Sequence, residues 1–260
     1  MNRRHFLPLV PAAFLAGCSK DNTPKLTVGM EPSYPPFEFK NDKGELDGVD
    51  VRIAEALAKH MGLPLKIESY TFPGLTPALQ GGQIDCIISA MTATDERRKN
   101  IDFSDAYVFT AIAMLVSKDA PIQTVADLNK PGLRIVAKVG TTGESYTREH
   151  LPNAKLRVLD EEGNCADEVA KNLADAFIYD QLSIYGHWES RKETTRALLT
   201  PIREEYWAVG IKKGNDAFRA KVNAFIKDFR DQGELTKLAD KYLVKERKLL
   251  ESMGAPFIFR

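Results

Sequence analysis

Arg97 stands one helical turn beyond Thr92-Ala93-Thr94, in a charged stretch that follows the apolar, strand-like run Cys86-Ile87-Ile88-Ser89-Ala90-Met91. A strand that ends on threonines and turns into a helix leaves early backbone N–H groups without intrahelical acceptors. An arginine beside them adds a permanently charged, fork-shaped donor. Together these groups suit a carboxylate. The same residues also describe a capped surface helix with solvated charges, and taken alone they are open between the two. Thr141-Thr142-Gly143-Glu144 presents a second such place. Its Thr-x-x-Glu spacing is that of a capping box, in which Thr141 caps the helix and the early N–H groups stay available. The glycine lets a ligand approach the backbone closely, and a plain helix cap is the alternative.

The elements that must position these groups follow from periodicity. Leu26-Thr27-Val28-Gly29-Met30 reads as a buried strand, and Phe37-Glu38-Phe39 with Leu46, around Asn41-Asp42-Lys43-Gly44, reads as a hairpin. Val49, Ile53, Leu57 and Met61 recur every four residues and give one apolar helix stripe, stopped by Gly62 and Pro64. A strand over 65–70, a short helix over 75–80 and a strand over 84–89 follow. Strands alternating with helices predict an α/β fold with mostly parallel sheets, whose ligand site lies at the carboxyl ends of the strands. The residues just past those ends are Glu31, Tyr34, Phe72, Ala90 and Thr92. A second alternation runs from Leu133 to Tyr179, and two amphipathic helices are predicted over 217–232 and 235–242. Chain crossings between two lobes are expected at Lys118-Asp119-Ala120-Pro121 and at Tyr206–Ile211. The predicted organisation is a signal peptide over 1–17, a linker over 18–24, a first lobe over 25–117 with 206–260, and a second lobe over 118–205. The tail after Val244 has no assigned role beyond the expectation that Pro256-Phe257-Ile258-Phe259 docks on the body.

Composition limits the partners. Of 260 residues, 43% are hydrophobic, enough for a sizeable core, and Lys+Arg and Asp+Glu each total 36, which offers nothing to a nucleic acid. Arg3 and Arg4 precede an acid-free, mostly apolar run broken by Pro8 and Pro11, which reads as an export signal too short to span a membrane. Leu15-Ala16-Gly17-Cys18 looks like a bacterial lipobox, which implies lipidation of Cys18 and cleavage before it. Asn2-Arg3-Arg4-His5-Phe6-Leu7 resembles a twin-arginine signal, and both the twin-arginine and the Sec routes stay open. Cys86 and Cys165 are expected in different lobes as free thiols, since a bridge between them would pin a hinge that must move. The four histidines are dispersed without metal-ligand spacing, and no metal or cofactor is expected.

The order and spacing of Tyr34-Pro35-Pro36-Phe37-Glu38-Phe39, Gly48-Val49-Asp50, Gly74-Leu75-Thr76-Pro77, Thr92 to Asp105 and Gly140-Thr141-Thr142-Gly143-Glu144 resemble the polar amino-acid-binding proteins of ABC importers, the type II periplasmic binding proteins. The likeness runs from about Leu26 to Tyr242. It implies two lobes, each a mostly parallel sheet flanked by helices, joined by two crossing strands and closing on an amino acid. Arg97 would then take the ligand α-carboxylate, helped by the N–H groups of Thr92 and Thr142 from the two sides. Asp180 would take the α-ammonium with the Ala90 carbonyl and the Thr92 hydroxyl, while also capping the helix that begins at Gln181. Tyr34 and Phe72 match positions that flank the ligand side chain, where core packing is the alternative.

Glu31 matches an acidic position that reaches the tip of the ligand side chain, and Lys138 matches a lysine of glutamine-binding proteins. One acceptor and one donor suit a carboxamide, which makes glutamine the first expectation. A Lys138 turned to solvent would leave Glu31 to select arginine or lysine. The resemblance further implies a monomeric, extracytoplasmic, lipid-tethered receptor that delivers its amino acid to an ABC permease and is not an enzyme. Two other classes stay open: a dehydratase of arogenate or prephenate on the same fold, and a signalling ectodomain, disfavoured because no membrane-spanning helix follows Tyr242.

Overall fold

The computed structural model describes residues 24–259. The expected signal peptide, Cys18 and all but the last residue of the linker lie outside the described residues. The chain begins with β1 (Leu26–Met30), a small three-stranded sheet of β2 (Ser33–Tyr34), β3 (Glu38–Lys40) and β4 (Leu46–Asp47), and then α1 (Val49–His60). Next come β5 (Leu65–Ser69), α2 (Phe72–Gln80), β6 (Cys86–Ile87) and the single turn α3 (Asp95–Arg98). The long β7 (Ile101–Ser117) leads to β8 (Arg134–Lys138), α4 (Thr142–His150), β9 (Lys155–Leu159), α5 (Glu162–Ala170), β10 (Ala176–Asp180) and α6 (Gln181–Glu189). The equally long β11 (Thr195–Lys212) returns, followed by α7 (Asp216–Asp231), α8 (Glu234–Tyr242) and α9 (Val244–Ser252).

One sheet runs through the molecule in the order β5-β1-β6-β11-β7-β10-β8-β9. Its flanks are parallel, β1 with β5 and β6 on one side and β8 with β9 and β10 on the other. Between them the two long strands pair antiparallel with each other and with their neighbours. This is the two-lobed α/β architecture expected, with β7 and β11 as the crossing strands. The carboxyl ends of β1, β6, β8 and β10 therefore deliver Glu31, Ser89-Ala90, Gly140–Thr142 and Asp180 to the region between the lobes.

The first crossing lies upstream of its expected place. Ile112–Val116 of β7 already pair with Asp180–Ala176 of β10, so the strand changes partners before Lys118. The run from Ile112 to Ser117 is apolar because it is a central strand of the second lobe, which its hydrophobicity alone does not distinguish from one in the first. Val49, Ile53 and Leu57 of α1 are buried as the four-residue stripe requires. The tail docks: Ile258 is buried, its carbonyl accepts from Phe109 N at 2.8 Å, and Arg247 of α9 lies over the Phe257 ring. Cys86 and Cys165 are buried free thiols, and burial pushes both up. Among the described residues no helix is long and apolar enough to cross a membrane.

Candidate functional site

A cavity opens between the lobes, and Glu31, Tyr34, Phe72, Ala90, Thr92, Arg97, Thr141, Thr142 and Asp180 all line it. Of the residues singled out in the sequence, Lys138 alone is absent from the wall. Glu38, Ser89, Tyr179, Glu205 and Trp207 complete the lining.

The arginine end is built by two helix starts. Thr94 caps α3, its hydroxyl accepting from Arg97 N at 3.2 Å, which fixes the first turn and the root of the arginine. Arg97 Nη1 donates to the Thr92 carbonyl at 2.8 Å and Nη2 to the Gly140 carbonyl at 2.9 Å, so the guanidinium spans both lobes. Its Cζ lies 5.1 Å from the centre of the Phe72 ring, a cation–π contact on the ring face. Burial draws the guanidinium down to about 10, against the support of Glu205, and it stays charged at neutral pH. Across the gap, Gly143 packs α4 so closely on β10 that an added Cβ would lie 2.1 Å from the Ile178 carbonyl oxygen. Only glycine permits this approach, and it is what brings the α4 N-terminus to the cavity.

The capping box expected at Thr141 does not form. Thr141 is the N-cap residue, but its hydroxyl donates backward to the Lys138 carbonyl at 2.7 Å, and Glu144 accepts from Gly140 N at 2.7 Å. The tight turn at Gly140, with φ +72°, brings these nearer partners within reach. As a result the N–H of Thr142 has no acceptor among the described residues. The Thr92 hydroxyl donates to Glu205 Oε2 at 2.6 Å, which leaves its oxygen lone pairs able to accept from an ammonium.

Asp180 is the N-cap of α6, with Oδ1 accepting from Leu182 N and Ser183 N at 2.9 and 3.2 Å and Oδ2 from the Thr110 hydroxyl at 2.8 Å. No cation pairs with it among the described residues, and burial raises it to about 6. Ala90 has the left-handed backbone usually left to glycine, φ 45°, held by an Ala90 N–H to Asp50 Oδ2 bond of 2.7 Å. Asp50 also accepts from the Tyr107 hydroxyl at 2.8 Å, and Ser89 Oγ ties Glu31 N at 3.0 Å to Glu38 Oε1 at 2.8 Å. Burial pushes Glu38 well up, with Asp50 adding to the rise, and pushes Asp50 to about 6.

At the other end, Lys138 Nζ forms a buried ion pair with Glu31 Oε2, and Glu31 Oε1 accepts from Phe72 N at 3.0 Å. Lys138 is 1% exposed, which excludes a solvent-facing position. It sits behind Glu31 because an ammonium on a long apolar stem, buried at the end of a strand, must find a carboxylate. Tyr34 both lines the cavity and packs, with ring centroids 5.9 Å from Trp207 and 6.0 Å from Tyr179. Sequence reasoning passed over Glu205, Tyr179 and Trp207. Strand alternation sets Arg203, Glu205 and Trp207 on one face of β11 but does not say which face meets the cavity, and Tyr179 stands on β10 beside Asp180.

The arrangement is a closed, polar cleft with a cationic fork at one end and an unpaired carboxylate beside it. It matches a known class. The model of the bacterial extracellular solute-binding proteins, family 3, matches residues 26–245, and the chain belongs to that family. It is 30% identical over 219 residues to the L-cystine-binding protein TcyJ of Escherichia coli K12, covering 84% of this chain and 82% of the relative. It is 31% identical over 234 residues to the arginine-binding extracellular protein ArtP of Bacillus subtilis, covering 88% and 90%. The crystal structure of a putative binding component of an ABC transporter from Wolinella succinogenes, complexed with lysine, superposes with a TM-score of 0.79 at 33% identity, covering 85% of this chain and 96% of the other.

Proposed function

We propose that this protein captures a polar L-amino acid outside the cytoplasm and hands it to an ABC permease. One observation carries the reading: Arg97 and Asp180, from opposite lobes, line the same cavity, with the N–H groups at Thr92 and Thr142 beside the arginine. A zwitterion answers both ends, its carboxylate on Arg97 and its ammonium on Asp180 with the Ala90 carbonyl. Contacts made only when the lobes are together draw the population toward the closed form.

The named relatives take cystine, arginine and lysine, so the ligand here follows from the tip of the cavity rather than from kinship. Glu31 meets that tip already neutralised by Lys138. Such a pair accepts a carboxamide without leaving a buried charge unanswered, which makes L-glutamine the first choice. A basic side chain is the second reading, favoured by the fact that only the acidic member of the pair lines the cavity. Cys18 in Leu-Ala-Gly-Cys supports a lipid tether reached by twin-arginine or Sec export, and the receptor is read as a monomer. Cys18→Ser should then block lipidation, and an unchanged mass with unchanged detergent partitioning would overturn the tether.

A thermal-shift screen of the twenty L-amino acids, followed by calorimetry, tests the function. Glutamine is expected to raise the melting temperature most. A response to none of the twenty would overturn the reading, and a preference for arginine or lysine would replace glutamine with a basic ligand.

A further inference from the structure

Glu205 lies on β11, the return strand between the lobes, and is 3% exposed. Its Oε2 accepts from the hydroxyls of Thr92 at 2.6 Å and Thr142 at 2.9 Å, one from each lobe, and its Oε1 accepts from Arg203 Nη2 at 3.0 Å. These threonines are the pair that flanks Arg97. A carboxylate of the protein itself therefore stands among the groups suited to a ligand carboxylate, and its charge is the strongest support for Arg97 staying protonated.

The charges around the cavity make this consequential. Among the described residues, Arg97 is the one Lys or Arg on the wall, against the carboxylates of Glu31, Glu38, Asp180 and Glu205. Glu31 is answered by Lys138, and Glu38 is driven toward its neutral form by burial and by Asp50. Under the amino-acid reading, Asp180 is answered by the ligand ammonium. Arg97 is then left to serve two carboxylates, its neighbour Glu205 and that of the ligand. Arg203 relieves only part of this, being about one third exposed and engaged with the oxygen of Glu205 away from the threonines.

We propose that Glu205 is a selectivity residue: a resident carboxylate beside Arg97 that weakens capture of the ligand α-carboxylate, favours ligands of higher net positive charge and rejects dicarboxylic amino acids. Like charges placed side by side in a desolvated site are the repulsive element that specificity commonly requires. The inference rests on the amino-acid reading above and deepens it.

Glu205→Gln keeps an oxygen to accept from Thr92 and Thr142 while removing the charge. Calorimetry on wild type and variant with L-glutamine and its α-amide, which lacks the carboxylate and is a net cation, separates the roles. The variant is expected to bind glutamine at least tenfold more tightly and the α-amide less tightly, and to gain measurable affinity for L-glutamate. An unchanged ratio of glutamine to α-amide affinity in the folded variant would mean that Glu205 only braces the hinge, and would overturn the proposal. Should the variant not fold, the wild-type ratio decides. The α-amide within about a hundredfold of glutamine is expected, and a larger gap contradicts a contested Arg97. If wild type binds no L-amino acid, the functional reading fails and the inference falls with it.

Discussion

Arg97 Nη2 donates to the Gly140 carbonyl oxygen at 2.9 Å, so the side chain that ends the first lobe's carboxylate site is held by the backbone that starts the second lobe's. The turn that presents this carbonyl favours glycine at 140. Its φ is +72°, and a Cβ there would lie 3.2 Å from Pro73 Cγ in the facing lobe. The guanidinium is thus held from both sides, by Thr92 of its own lobe and by Gly140 of the other.

Gly140→Ala should separate local strain from closure. A left-handed L-residue costs roughly 1–2 kcal/mol, which lowers the melting temperature with or without ligand. The added methyl also presses on Pro73 only when the lobes meet, so amino-acid affinity should fall by roughly tenfold as well. A folded Gly140→Ala protein with wild-type affinity would show that closure does not pass through this contact.

The Asp180 carboxyl should give binding a pH limit. Burial holds it at about 6, and an ammonium ligand needs it ionised. Affinity measured by calorimetry should be level above about pH 7 and fall by up to tenfold per pH unit below 6. Asp180→Asn should remove that slope along with most of the affinity. Stability without ligand runs the other way. A carboxyl whose folded value lies above its unfolded value of 3.8 holds more protons when folded, so stability is lost as pH rises from about 4 through 6. For Asp180 this amounts to roughly 3 kcal/mol at most, and Asp50 and Glu38 act in the same direction. Thermal melts without amino acid should therefore be higher near pH 5 than near pH 7, and added ligand should narrow the difference.

Lys138→Met should expose what the buried pair does. Removing one partner leaves Glu31 buried and unanswered, at a cost of about 3–5 kcal/mol. Combining it with Glu31→Gln should recover much of that loss, a coupling that a double-mutant cycle reads directly. In the single variant the preference for glutamine over arginine should shrink, because the Glu31 charge is no longer balanced. An unchanged ranking of ligands would place the side-chain tip away from Glu31.

The fold was legible because its signals are local and repeated. The α1 stripe, the glycine stops and the strand–helix alternation each fix one element, and together they leave little room for another architecture. The site residues at strand ends were legible for the same reason, since Glu31, Thr92, Thr142 and Asp180 follow directly on apolar runs. What escaped detection depends on which groups meet across the gap. The identity of Glu31's partner is one such case, for Lys138 is equally a donor to a ligand or to a carboxylate until the lobes are in place. Glu205 is another, since it sits next to Glu204 on a strand where one of the two must face outward and only the sheet decides which. Even the Thr141 cap yielded to nearer partners at the Gly140 turn.

Calorimetric titration of Arg97→Ala, with whichever L-amino acid raises the wild-type melting temperature most, asks most directly whether the guanidinium carries the ligand carboxylate. Losing one partner of a desolvated charge pair costs about 2–5 kcal/mol. At about 1.4 kcal/mol per decade, binding should weaken by roughly thirtyfold to several thousandfold. A folded Arg97→Ala protein that binds the amino acid with near-wild-type affinity would contradict the assignment.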